Sequence, residues 1–121
     1  MSVKGLIEEV LRQLKTIGGV ESSAVVTRDG LLVASDVSTD VDAETFAAMS
    51  ASMVGSAETA ITEVKAGTTA RVIVETDNSK MIALGAGAKA LLVVLTKRDV
   101  PLGLILLKAG DAARKISGLV D

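Results

Sequence analysis

The stretch from Asp42 to Lys65, DAETFAAMSASMVGSAETAITEVK, leaves this chain few ways to fold. It contains no Pro, and at helical spacing Phe46, Met49, Met53, Ala57, Ala60, Ile61 and Val64 form an apolar stripe of the kind a helix buries against a core. A second stripe is unusual. Ala48, Ala51, Ser52, Gly55, Ser56 and Thr59 follow one another where a solvated face would carry Lys, Glu and Arg, and beyond Asp42 only Glu44, Glu58, Glu63 and Lys65 are charged. An interior glycine costs roughly 1 kcal/mol relative to alanine in a helix. Gly55 therefore implies that something must approach the backbone closely. The pattern reads as a helix covered on two sides, its own sheet beneath and a neighbour on the small-residue face, most economically the same helix of a second copy. Two blander readings compete: a neutral surface of good helix formers, or cover by another segment of the same chain.

A chain of 121 residues suits one domain, expected over residues 1–121, with a single core that needs no staples. Hydrophobic residues make up 49%, yet Phe46 is the sole aromatic, so the core must be aliphatic. With no Trp, Tyr, His or Cys, the chain lacks the stacking and ligating groups that flavin, haem and single-stranded nucleic acid sites normally use, and no cofactor or metal is expected. The balance of 13 basic and 15 acidic residues, net −2, carries no electrostatic footprint for nucleic acid. The absence of Cys excludes disulfides and fits a reducing compartment. MSVKGLIEEV meets acidic residues too early for a secretory signal, and no apolar run approaches the ~18 residues that span a bilayer. The expectation is a cytoplasmic protein without direct membrane insertion.

Around the long helix the chain alternates element types. Val3, Leu6, Ile7, Val10, Leu11, Leu14 and Ile17 give a one-faced helix that Ser2 can cap and Gly18-Gly19 can end, with Glu8 and Arg12 placed for an i,i+4 pair. Ser22 to Arg28 and Leu31 to Ser35 flank Asp29-Gly30, a dipeptide that favours a tight primed hairpin turn. Thr39, Asp40 and Asp42 can cap and charge the start of the long helix. After it, Thr69 to Thr76 alternates as a strand, Lys80 to Ala86 returns, and ALLVVLT, Ala90 to Thr96, is continuously apolar, as befits a central strand covered on both faces. Asp99 and Pro101 open a last helix with Leu102, Leu106, Ala109, Ala113 and Ile116 at core spacing. This order predicts an α/β (α+β) three-layer sandwich, with a five-stranded, mostly antiparallel sheet between helices.

Catalytic motifs fail on context. Gly85-Ala86-Gly87-Ala88-Lys89-Ala90 matches a loose G-x-G-x-x-A, but it precedes a strand instead of opening a helix, so it reads as a glycine hairpin. No P-loop sequence occurs, and without His or Cys the commonest nucleophile-and-base arrangements are missing, which leaves a Ser/Lys pair that no local motif points to. Asp36, Asp40, Asp42 and Glu44 lack the glycine and terminal glutamate of an EF-hand loop and read as a helix start. Arg71 and Arg98 are candidate arginine fingers for a partner's site, or simply surface charges. A catalytic role is not expected.

The element order, Asp29-Gly30 in the first hairpin, the Ala/Ser-rich long helix, Gly85 closing the fourth strand and Pro101-Leu102-Gly103 opening the last helix together resemble the Roadblock/dynein-light-chain family, in the style of its prokaryotic MglB-type regulators. The resemblance covers nearly the whole chain and rests on pattern, not on a catalytic signature. It implies a longin/profilin-like fold, one long helix on one sheet face and two helices on the other. It also implies a homodimer that joins two sheets through the third strand, with the long helices together. Carried onto this chain, the dimer interface is Ala48, Ala51, Ser52, Gly55, Ser56 and Thr59, with the strand Arg71, Val72, Ile73, Val74 and Glu75. Members are non-enzymatic scaffolds or regulators of Ras-like small GTPases, some of them GTPase-activating partners that reshape the GTPase's own site. With so little beyond the domain, anchoring is expected to come from partners. The competing expectation is a small-molecule sensor of profilin/PAS-like type, which an aliphatic, aromatic-free core serves poorly.

Overall fold

The computed structural model describes all of residues 1–121. In chain order the elements are α1 (Val3–Lys15), β1 (Val20–Thr27), β2 (Leu32–Asp36), α2 (Ala43–Glu63), β3 (Arg71–Glu75), β4 (Ser79–Gly85), β5 (Ala90–Lys97) and α3 (Leu102–Val120). The strands form one sheet in the order β2-β1-β5-β4-β3. Every pairing is antiparallel. The apolar run of β5 occupies the centre, as its composition requires, and β2 and β3 are the edges.

Strand alternation divides the interior into two cores. On one face Val25, Leu92, Val94 and Ile82 meet Ile7, Leu11 and Leu14 of α1 and Ile105, Ala109, Ala113 and Ile116 of α3. On the other, Ala24, Val26, Ala83, Leu91 and Val93 meet Ala47, Ala51 and Val54 of α2. Each large aliphatic side chain so buried contributes about 1.5–3 kcal/mol, which is how a core without Trp or Tyr suffices.

The long helix is rotated from the orientation that hydropathy suggests. Met49 and Val64, expected beneath it, are 61% and 69% exposed, and Ala60 is also exposed. The buried stripe is Ala47, Ser50, Ala51 and Val54. Small residues on the helix over Ala24 and Ala83 on the sheet allow a close approach, and Phe46 and Met53 pack only partly, at the margin of that core.

Local chemistry sets the ends of the elements. The Ser2 hydroxyl accepts the Gly5 N–H at 3.0 Å. Among the candidates for the start of α2 it is Asp42 that caps, accepting the Thr45 N–H at 3.1 Å. Arg12 pairs with Glu9, not Glu8, since on this helix the i,i+3 neighbour lies closer to its guanidinium. Pro101 is the N-cap of α3 and no side chain caps that helix.

The β1–β2 connection is longer than the expected two-residue turn. The Thr27 N–H donates to Leu31 O at 2.8 Å and the Gly30 N–H to Thr27 O at 3.0 Å, with Gly30 at φ 100°. Residues Arg28, Asp29 and Gly30 thus form a three-residue loop with glycine in its left-handed position. The β1–β2 register shifts between Val25 and Val26.

Candidate functional site

Two flanks of α2 and the edge strand β3 carry the features that the fold leaves unexplained. On the first flank, Ala48, Ser52, Gly55, Ser56 and Thr59 line an open trough of about 800 Å³. Its far wall is the β1–β2 loop, Arg28, Asp29 and Gly30, and Glu63 closes one end. Ala51 is only 5% exposed and is largely spent on the protomer's own core. A Cβ added to Gly55 would meet nothing within 4 Å, so no contact within the protomer requires glycine there. At Gly30, by contrast, a Cβ would lie 3.5 Å from the Ala48 Cα, so the loop and the helix meet at the floor of the trough. Arg28 ties the two walls together, its Nη1 3.2 Å from Glu58 Oε2.

The second flank of α2 is apolar. Met49 and Val64 project into solvent, with Phe46, Met53 and Ala57 half-buried beside them. By helical periodicity this flank lies on the other side of α2 from the residues that meet the β1–β2 loop, and Phe46 and Met53 share a core with Val72 of β3 and Met81 of β4. The register aligns Val74 with Met81 and Met81 with Leu95. Alternation puts Val74 on the α2 side with Val72, which packs against the α2-side core. Phe46 and Met53 of the flank and Val72 of the edge strand thus border the same α2-side core.

β3 is a regular edge. All five of its residues pair in step with β4, from Arg71 opposite Leu84 to Glu75 opposite Lys80, with no shift of register. Its other side has no strand. It carries no Pro and no bulge, two of the usual protections of an edge that must stay unpaired, and its charges, Arg71 and Glu75, stand exposed at its two ends. β2, at the opposite edge, is paired through an irregular register.

The other candidates resolve into structural roles. Asp36 pairs with Lys15 at 3.3 Å, Asp40 accepts from Ser38 and Asp42 caps α2; no group of three or more acidic, His or Cys side chains is placed to share a metal ion. Arg98 donates to Thr76 O at 2.6 Å, which holds the β3–β4 turn. Gly85 ends β4 and Gly87, at φ 88°, turns the chain into β5, so the glycine run is a hairpin. There the Asp121 carboxylate accepts the Ala88 N–H at 3.2 Å. Arg71 forms no ion pair. Sequence reasoning missed Arg28, Asp29 and Glu63 as trough residues and the exposure of Met49 and Val64. Only the strong turn signal at Asp29-Gly30 pointed toward that end of the sheet. No helix is long and apolar enough to cross a membrane.

Comparison with known proteins agrees with this architecture. The chain is 38% identical over 114 residues to an uncharacterized protein of Methanocaldococcus jannaschii, covering 94% of this chain and 99% of that one. Among solved structures, Myxococcus xanthus MglB superposes with a TM-score of 0.87 at 18% identity, covering 94% of each chain. Schizosaccharomyces pombe profilin does so at 0.68 and 13% identity, over 99% of this chain and 100% of that one, which places the sandwich among profilin-like folds. The Roadblock/LC7 domain model matches residues 6–96, and the chain therefore belongs to the Roadblock/LC7 family.

Proposed function

We propose that residues 1–121 act as one non-catalytic Roadblock-like domain, a cytoplasmic homodimeric scaffold and regulator of a Ras-like small GTPase. Family membership supports a regulatory role. The observation that carries the reading is the combination of a regular edge strand with no strand on its outer side, Arg71–Glu75, and a helix flank that leaves Met49 and Val64 in water. Burying such a surface against a second copy is the economical solution for a chain that leaves both exposed.

In this dimer the sheets join through β3 and the apolar flanks of the two α2 helices meet above the seam. The small-residue face expected at the subunit contact lies on the opposite flank, so Ala48, Ser52, Gly55, Ser56 and Thr59 stay open in the trough and take the GTPase. The trough on α2 opens to solvent, and the cores beneath are filled by aliphatic side chains, which favours a docking surface over a sensor's ligand chamber.

The test is affinity capture on the purified dimer from a native lysate, with and without a GTP analogue, and mass-spectrometric identification of what is retained. The expected result is a Ras-like GTPase that the wild type retains and the Gly55→Leu variant, still dimeric, does not. Recovery of no GTPase in either nucleotide state contradicts the regulatory reading.

A further inference from the structure

The structure assigns to β3 a self-complementary register that selects a second copy of this chain, an inference that rests on the dimeric reading above. A two-fold axis normal to the sheet pairs identical edge strands antiparallel, sets one residue opposite itself and keeps the same face of both sheets upward. In the strand Arg71-Val72-Ile73-Val74-Glu75, an axis at Ile73 sets Arg71 opposite the partner's Glu75 and Glu75 opposite the partner's Arg71. Val72 and Val74 then face each other across the seam.

Each part of that register matches the protomer. Ile73 belongs to the α1/α3-side core and Val72 to the α2-side core, so Arg71 and Glu75 share Ile73's face and can meet there. Neither charge is used within the protomer: no ion pair involves them. Lys80, which stands opposite Glu75 on β4, gives its ammonium to Val100 O at 3.1 Å instead. Sliding the axis by one residue in either direction sets Ile73 opposite a charged side chain, Glu75 or Arg71, and breaks the clasp. Opposite charges directly across a strand pair are favourable and like charges unfavourable, so the two clasps both fix the register and discriminate against edges of other charge order.

The experiment uses charge reversal and mixing on the full chain. Arg71→Glu sets Glu against Glu at both ends of the seam, and Glu75→Arg sets Arg against Arg. Each variant alone is expected to dimerise about tenfold more weakly than wild type, while an equimolar mixture forms a heterodimer with both clasps restored. The double variant Arg71→Glu/Glu75→Arg dimerises as wild type does. Because the mixture recovers binding only if both chains are folded, misfolding cannot imitate the result. As a second readout, Ile73→Cys in this cysteine-free chain oxidises to a covalent dimer, since directly opposed residues lie about 4.5–5.5 Å apart between Cα atoms, within disulfide reach. A wild-type dimer indifferent to both reversals, with no gain on mixing, overturns the register and leaves the dimer standing. A monomeric wild type overturns both.

Discussion

Arg28, in the loop after β1, reaches across to the C-terminal half of α2, where its Nη1 stands 3.2 Å from Glu58 Oε2. Their side chains are 38% and 40% exposed, so solvent screens the attraction. A double-mutant cycle with Arg28→Ala and Glu58→Ala is expected to give a coupling of about 0.2–1 kcal/mol in urea unfolding. The pair positions the loop more than it stabilises the fold, so GTPase capture should weaken in either variant by more than that coupling accounts for.

The orientation of α2 makes a sharper prediction. Ala47 is fully buried against the sheet, and Ala47→Leu overpacks that contact, at a cost of about 1–3 kcal/mol. Met49, two residues on and exposed on the other side of the helix, tolerates Met49→Ser within about 0.5 kcal/mol under conditions that keep the protein monomeric. Chemical denaturation of both variants checks the rotation of the helix, and equal costs would contradict it.

Gly19 sits at φ 92°, and a Cβ there would run into the Val100 side chain. Gly19→Ala therefore meets backbone strain and a clash at the junction between α1 and the start of α3. The expected loss is about 2–4 kcal/mol, read as a lower thermal midpoint with the fold retained.

Acid sensitivity follows from the start of α2. The Thr45 backbone N–H first, and then its hydroxyl, hold the Asp42 carboxyl below the usual range. The Ser38 hydroxyl, followed by Asp40's own backbone N–H, does the same for Asp40. A depressed carboxylate stabilises the fold fully above its unfolded value of about 3.9 and loses that contribution as pH falls through the folded value. Thermal midpoints measured from pH 6 down to 2 should fall below about pH 4. Asp42→Asn, which keeps a capping oxygen but does not ionise, should flatten part of that fall. An identical pH profile in the variant would contradict the assignment.

The strands, their order of appearance and the central place of β5 were legible because period-2 alternation and a continuous apolar run are strong signals. The rotation of α2 was not. Phe46, Met49, Met53, Ile61 and Val64 make up the stripe with the large apolar side chains, yet the sheet beneath presents Ala24 and Ala83 and accepts a face of Ala47, Ala51 and Val54 instead. Hydropathy ranks residues by their aversion to water and is silent on which apolar face a given sheet has room to accept. For the same reason the small-residue stripe was visible as an anomaly, while its neighbour, the β1–β2 loop, could be found only once the hairpin had been folded back over the helix. The turn itself came out one residue longer than the dipeptide implied, because the Thr27 hydroxyl accepts the Leu31 N–H at 2.9 Å and stabilises the wider loop.

The measurement that bears most directly on the whole account is the solution mass of the wild-type protein by sedimentation equilibrium across a concentration series. A dimer, weakened by Met49→Glu on the apolar flank of α2 and unaffected by Gly55→Leu in the trough, is the predicted result. A protomer mass at every concentration, with β3 and Met49 left bare to water, would contradict it.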